Sequence, residues 1–388
     1  MPGETPVDLA ILLGGVDGGP LERWMRAALE ACALDTAEVA RDSGAFARVF
    51  LLADRLPSLP VPAGVIVETD AEAGALPFHY GRRLLDWVHR HGVTAMATCG
   101  AGSAPLLVGN EWRALVGALG SPALPRCVAN NRFSADIYAV APASTLALLD
   151  PAPATDNAVP RRLWDQHGVE LIELPRTVQT QFNLDTPSDL AALALVGHSG
   201  PRLLALLRDR GAGAMHLDTS RLERAAACLA ERAAEVLVAG RISSGTWAYL
   251  ERESACRIRI LAEERGMQSA GTDTDGTARS ILGALIEESG PERVFGTLLP
   301  EWCDAAFIDI RPALVHLGIR PGRADRFAAD AGLPDAIEDP RLAAIVRAAL
   351  AAPVPVVLGG HSLVGGVLNL VNQWAWDEKD AREGRVGP

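Results

Sequence analysis

The chain has 388 residues, 36 Lys plus Arg against 48 Asp plus Glu, and a formal charge of −12. That length allows two or three domains with full-sized cores, and 49% hydrophobic against 22% charged residues excludes wholesale disorder. The acidic balance argues against nucleic acid or an anionic membrane as a partner. Lys379 is the one lysine, which excludes a lysine Schiff base and a P-loop.

The six cysteines, Cys32, Cys99, Cys127, Cys228, Cys256 and Cys303, are scattered without a Cys-x-x-Cys pair. They read as small buried thiols rather than a zinc site. Met1-Pro2-Gly3-Glu4 offers no basic n-region, Leu9–Leu13 is too short for a signal peptide, and no apolar run reaches spanning length. Together these features predict a cytoplasmic protein.

In chain order, Leu9–Leu13 reads as a buried strand ended by Gly14-Gly15, followed by a helix with Leu21, Trp24, Met25 and Leu29 on one stripe. Val49–Leu52 and Val65–Val67 read as further buried strands. Leu84, Leu85 and Val88 form one side of a helix that Gly92 stops at C′. Val93–Thr98, Glu111–Leu119 and Ile137–Val140 continue as strand, helix and strand. This rhythm predicts a largely parallel sheet covered on both faces, with ligands at the carboxyl ends of its strands.

Gly197-His198-Ser199-Gly200-Pro201 reads as a joint, giving domains over 1–198 and 199–388. In the second half, Ser220 with Glu223 reads as a capping box, ahead of Leu222, Ala226, Leu229 and Ala233 at helical spacing. Helices are expected over Ala278–Glu288, Glu292–Leu299 and Arg341–Ala351, and strands only over Arg257–Leu261 and Val354–Leu358. The half is therefore expected to be a mainly helical α/β domain whose last dozen residues are loose. Trp374 and Trp376 read as a terminal packing latch.

Four segments of the first half have the composition of a ligand edge. Gly14, Gly15, Gly18 and Gly19 form a glycine-rich turn between strand and helix, where backbone N–H groups favour phosphate. Gly102 and Ser103, in Cys99-Gly100-Ala101-Gly102-Ser103-Ala104-Pro105, follow a central strand. Asn130, Asn131, Arg132 and Asp136 precede another, and such polar groups are costly there unless paired. In Asn183-Leu184-Asp185-Thr186-Pro187-Ser188-Asp189-Leu190, helix initiation accounts for Thr186, Pro187 and Asp189 and leaves Asn183 and Asp185 unexplained.

The opening Ala10-Ile11-Leu12-Leu13-Gly14-Gly15 and the Asn183–Leu190 stretch resemble nucleotidyltransferases of the molybdenum-cofactor type, over roughly residues 7–195. The resemblance implies a three-layer, Rossmann-like α/β/α domain. It also implies transfer of a nucleoside monophosphate from a nucleoside triphosphate to a small phosphorylated acceptor, with Mg²⁺ and release of pyrophosphate. Two positions depart from that pattern. Val16-Asp17-Gly18-Gly19 carries an acid where the family has Arg and Lys, and Gly102-Ser103-Ala104-Pro105 has Ser where the family has its metal-binding Asp. The expected catalytic set is then Asp136, Asp185 and Ser103, with Asp136 and Asp185 on the metal. The alternative is a degenerate nucleotide-binding or regulatory protein without turnover.

The second half has its own strand-turn-helix, Val354–Leu358 into Gly359-Gly360-His361-Ser362, which reads as a cradle for the acceptor's phosphate. Three charged knots accompany it: Glu263-Glu264-Arg265, Asp309-Ile310-Arg311, and Arg323 with Asp325 and Arg326. Of these, Arg265 and Arg311 are the expected acceptor-binding cations.

Overall fold

The computed structural model describes residues 5–120, 123–209, 211, 217–267 and 271–385. Met1–Glu4, on which the absence of a leader was argued, lies outside the described residues. The chain forms two compact units whose segments alternate along the sequence. The first comprises 1–17, 26–183 and 199–206, and the second 18–25, 184–198 and 207–388.

The first unit is built on a seven-stranded sheet in the order β3-β2-β1-β4-β6-β5-β7. The strands are β1 (Val7–Leu13), β2 (Arg48–Ala53), β3 (Val65–Thr69), β4 (Ala95–Gly100), β5 (Arg126–Ala129), β6 (Ile137–Ala141) and β7 (Glu170–Glu173). Alternate residues feed two cores, as the two-residue period of a strand requires. Leu9, Ile11, Val49 and Leu51 pack with Leu34, Trp112 and Leu115 from α1 (Pro20–Asp42) and α3 (Gly109–Leu119). Ala10, Phe50, Leu52 and Met96 pack with Leu84, Trp87 and Leu163 from α2 (Tyr80–His91) and α4 (Val159–His167). Helices therefore cover both faces.

The sheet is largely parallel but mixed, because β6 alone is reversed and runs antiparallel to both β4 and β5. β3 is an edge strand with Ile66 exposed, so Val65–Val67 is not the buried strand its apolar run suggests. Gly92 does end α2, at φ 59, with its N–H returned to His89 and Val88. Against α2, Arg83 is fully buried and donates to Asp70 at 2.9 Å and to Glu68 at 2.6 Å. His91 reaches Glu68 at 2.8 Å.

The second unit holds a parallel four-stranded sheet, β11-β10-β8-β9: β8 (Glu235–Gly240), β9 (Arg257–Ala262), β10 (Ala305–Asp309) and β11 (Val356–Gly359). Its two inner strands, β8 and β10, are absent from the expectation above, which gave only the outer pair. Val294, Phe295, Ile308, Leu342, Ile345 and Leu358 lie in its core. Ser220 does not cap a helix: it is the first residue of α8 (Ser220–Leu229), and Asp218 accepts its amide at 2.9 Å.

The last dozen residues are not loose throughout: 377–382 continue a helix, and 386–388 lie outside the described residues. Leu368–Arg382 is one helix. Trp376 donates to the Glu253 carbonyl at 2.7 Å, and Lys379 to the Ala230 carbonyl at 2.7 Å. Among the described residues no single helix is long and apolar enough to cross a membrane.

Candidate functional site

Strand register brings most of the polar positions of the first unit to one sheet edge. Leu13 pairs with Ala53, Leu12 with Gly100, Cys99 with Ile137 and Ala129 with Tyr138. Gly14, Asp54, Gly100–Ser103 and Asn130 therefore follow the carboxyl ends of β1, β2, β4 and β5. Because β6 is reversed, Asp136 arrives at that same edge from its amino end. This is the side on which α/β sheets bind ligands.

Asn130 is buried and fully used. Its Oδ1 accepts the amides of Asp136 and Ile137 at 3.1 and 3.2 Å, and its Nδ2 donates to the Thr180 carbonyl at 2.9 Å. It thereby fixes the entry into β6 and the backbone of α5 (Val178–Gln181). Asn131 closes the turn before it, accepting the Phe133 amide at 3.0 Å. Asn183 follows α5 and donates to Asp136 Oδ1 at 3.3 Å. The side chain that helix initiation leaves over thus orients the acid of a segment far away in sequence.

The glycine-rich turns are more engaged than their composition suggests. Gly14 faces Asp54, and a Cβ there would come within 3.3 Å of the Asp54 Cβ. Asp54 is held by buried Arg26, with Nη1–Oδ2 at 2.9 Å and Nη2–Oδ1 at 2.7 Å. Asp17 pairs with Arg55 at 2.7 Å. Ser103 is buried, and its hydroxyl accepts the Gly100 amide at 3.1 Å, closing the loop after β4. Gly18 and Gly19 belong to the second unit, where Glu22 accepts the Gly19 amide at 2.7 Å. A carboxylate of the chain itself occupies one N–H at the start of α1, the kind of donor a phosphate would use.

The second unit also holds Asp185 to Leu190. Asp189 is buried and accepts the amides of Asp185 and Thr186 at 2.8 and 2.7 Å from within α6 (Pro187–Val196). Asp185 is exposed. Gly359 lies against Ser188, and Ser362 donates its hydroxyl to Asp189 at 2.6 Å. Of the turn after β11, His361 alone remains as an exposed polar side chain at the lip.

Beside that turn, Asp309 ends β10 with its side chain fully buried. It accepts Arg241 Nε at 2.6 Å, Arg241 Nη2 at 3.1 Å and the Arg311 amide at 3.2 Å. Gly240 permits this contact. Its φ of 123° is reserved for glycine, and a Cβ would collide with the Asp309 Cβ. Arg311 in turn donates to buried Asp330 at 2.6 Å. Burial raises Asp330 to about 6, with Asp309 adding to the push and Arg311 opposing it. Partial enclosure, with the like charges of Arg311 and Arg323, lowers the pKa of Arg326.

The acids of the other charged knots are engaged by their neighbours. Glu263 accepts the Ser280 hydroxyl at 2.9 Å, Glu264 takes the Thr272 hydroxyl, and Asp325 accepts the Glu338 and Asp339 amides. Arg241 is the site residue that sequence reading passed over. Its signal was a Gly-Arg step after an apolar run, hidden once that run was absorbed into a helical region.

No family model matches this chain, and no curated protein is similar to it. The residues themselves therefore carry whatever functional reading is made.

Proposed function

We propose that the protein is a nucleotidyltransferase-like enzyme that passes a nucleoside monophosphate from a nucleoside triphosphate to a small phosphorylated acceptor, releasing pyrophosphate. The observation that carries this reading is the Asn183-to-Asp136 hydrogen bond of 3.3 Å at the carboxyl edge of the seven-stranded sheet. It joins the two segments that were left unexplained by local structure, at the edge where such sheets take ligands. Phosphoryl-type transfer depends on positioning and charge neutralisation, so an oriented acid and fixed backbone donors are the parts it needs.

Asp136 is the acid of the first unit that would hold Mg²⁺. Among the described residues no three His, Cys, Asp or Glu side chains gather as a closed ligand set. Mg²⁺ is commonly bound by one or two carboxylates and otherwise by substrate phosphates and water. When bound, the ion neutralises charge on the phosphates. Asn183 holds Asp136 in one orientation, and Asn130 sets the backbone on which Asp136 sits.

A second reading, nucleotide binding without turnover, is favoured by Ser103. Its oxygen accepts the Gly100 amide within the loop after β4, and a neutral hydroxyl is a poor replacement for a metal-binding acid. One pair of measurements separates the two. Thermal shifts of the full chain with each nucleoside triphosphate, with and without Mg²⁺, should give a Mg²⁺-dependent stabilisation that Asp136→Asn removes. At a ligand concentration of 100 Kd that stabilisation is about 2.7 kcal/mol. Pyrophosphate release in the same mixtures, on adding phosphorylated acceptors, reports turnover. Binding without release supports the second reading, and no nucleotide-dependent shift at all rejects both.

A further inference from the structure

The carboxyl edge of the four-stranded sheet gathers positive charge in a chain whose net charge is −12. Gly359 and Asp309 are register partners, so the turns after β11 and β10 lie side by side. β8 flanks β10 on its other side, which places Arg241 next to the turn after β10. His361 lies within electrostatic reach of Arg241, Arg265 and Asp309, and Arg326 within reach of Arg311, Arg323 and Asp330.

Arg241 and Arg311 thus engage two buried carboxylates, Asp309 and Asp330. Asp309 uses the Nε and one Nη2 hydrogen of Arg241, which fixes the guanidinium plane and leaves the Nη1 side without a hydrogen-bond partner among the described residues. Asp330 Oδ1 and Arg311 Nη1 are buried polar atoms without a partner, which marks the Arg311–Asp330 pair as incompletely satisfied. The nearby acids Glu263 and Glu264 are turned to Ser280 and Thr272.

We propose that this edge binds a phosphate-type oxyanion between Arg241 and His361, with Arg265, Arg311 and Arg326 supplying the surrounding positive charge. A carboxylate offers two oxygens in one plane and satisfies one guanidinium. A phosphoryl group presents three oxygens and up to two charges, so several donors from different loops engage it together. Arg241, pre-set by Asp309, loses little freedom on binding. Partial desolvation at the turn and the charges of Arg241 and Arg265 hold the His361 pKa below the usual imidazole range, so at neutral pH it meets the ligand as an uncharged donor. The inference rests on the proposed function for the class of ligand, a small phosphorylated compound. It stands on the second unit's own residues for the binding itself.

The test is calorimetric titration of the full-length protein with inorganic phosphate and, separately, with acetate at low ionic strength. Phosphate should bind, with acetate weaker by at least about tenfold, the loss expected for one charge-assisted hydrogen bond. Arg265→Gln and His361→Gln change exposed side chains, so they should fold normally, which unfolding of the free variants checks. Each should weaken phosphate binding by about tenfold. Arg241→Lys keeps a charge on Asp309 and should weaken it as well. Absence of phosphate binding overturns the proposal, as does equal affinity for acetate or unchanged binding in both Gln variants. Asp136→Asn separates this site from the nucleotide reading, since it should abolish the Mg²⁺-dependent nucleotide shift while leaving phosphate affinity intact. Loss of one result without the other shows which of the two readings fails.

Discussion

Ser362 donates its hydroxyl to Asp189 at 2.6 Å, and that carboxyl is fully buried at the start of α6. Burial and the neighbouring charge of Asp185 push Asp189 up to about 7, against the hydrogen bonds from Ser362 and two backbone amides. The group joins the first turn of one helix to the turn that follows β11, so its charge state is felt by both.

A carboxyl raised in the folded state holds its proton longer than in the unfolded chain. Its contribution to stability is therefore greatest below its ordinary pKa of 3.8 and is lost as pH rises through about 7. Asp189→Asn should flatten this part of the stability profile, as read by urea unfolding at pH 5 and pH 8. Ser362→Ala removes a hydrogen bond to a buried acid and should cost about 1.5–3 kcal/mol above pH 7. An unchanged slope in Asp189→Asn would show that the carboxyl does not titrate in this range.

Glu68 works in the opposite direction. Against the upward push of burial, hydrogen bonds from Arg90, His91 and Arg83 hold it down at about 2. Its stabilising contribution is complete above the usual 4.5 and is lost as pH falls towards 2. Arg83→Met leaves buried Asp70 without its arginine and takes one of three partners from Glu68, and should cost about 3–5 kcal/mol, measured by chemical denaturation at pH 7. The acid limb of its stability profile should flatten in step.

Gly240→Ala should be poorly tolerated. The new Cβ meets Asp309, and a φ of 123° adds strain of about 1–3 kcal/mol. Because Asp309 aligns Arg241, loss of phosphate affinity should exceed what the drop in Tm alone explains. Phosphate titration well below the variant's Tm checks this.

Thr186→Ala should be mild and Asp189→Ala severe. Thr186 is the N-cap residue, but the amides at this helix start are taken by Asp189. A cap hydroxyl is worth about 1 kcal/mol, whereas removing Asp189 leaves two amides and Ser362 without their acceptor. Urea midpoints of the two variants give the comparison.

Much of the first unit was legible because its strands are continuous apolar runs and its helices carry clear stripes. Leu9–Leu13 and the stop at Gly92 follow from composition and local geometry alone. Strand direction does not, since an apolar run reads the same both ways, and so the reversal of β6 went unseen. In the second unit, the Ala-Ala-Phe-Ile-Asp of β10 has little of the β-branched character that marks a strand. The candidate site was half legible. Asn183 and Asp136 stood out singly, yet their contact spans 47 residues, and that of Ser362 with Asp189 spans 173. No spacing rule reaches so far. The capture of the Gly19 amide by Glu22 was readable, because it is a contact within one helical turn.

The docking of Lys379 on the Ala230 carbonyl has a practical side, because no other side-chain amine exists in the chain. An acylating reagent that spares the α-amino group has one place to react. Neutralising that nitrogen would withdraw its hydrogen bond and its ion pair with Glu231, at 3.2 Å. A single fluorophore installed there would therefore report, without mutagenesis, whether the last helix is seated.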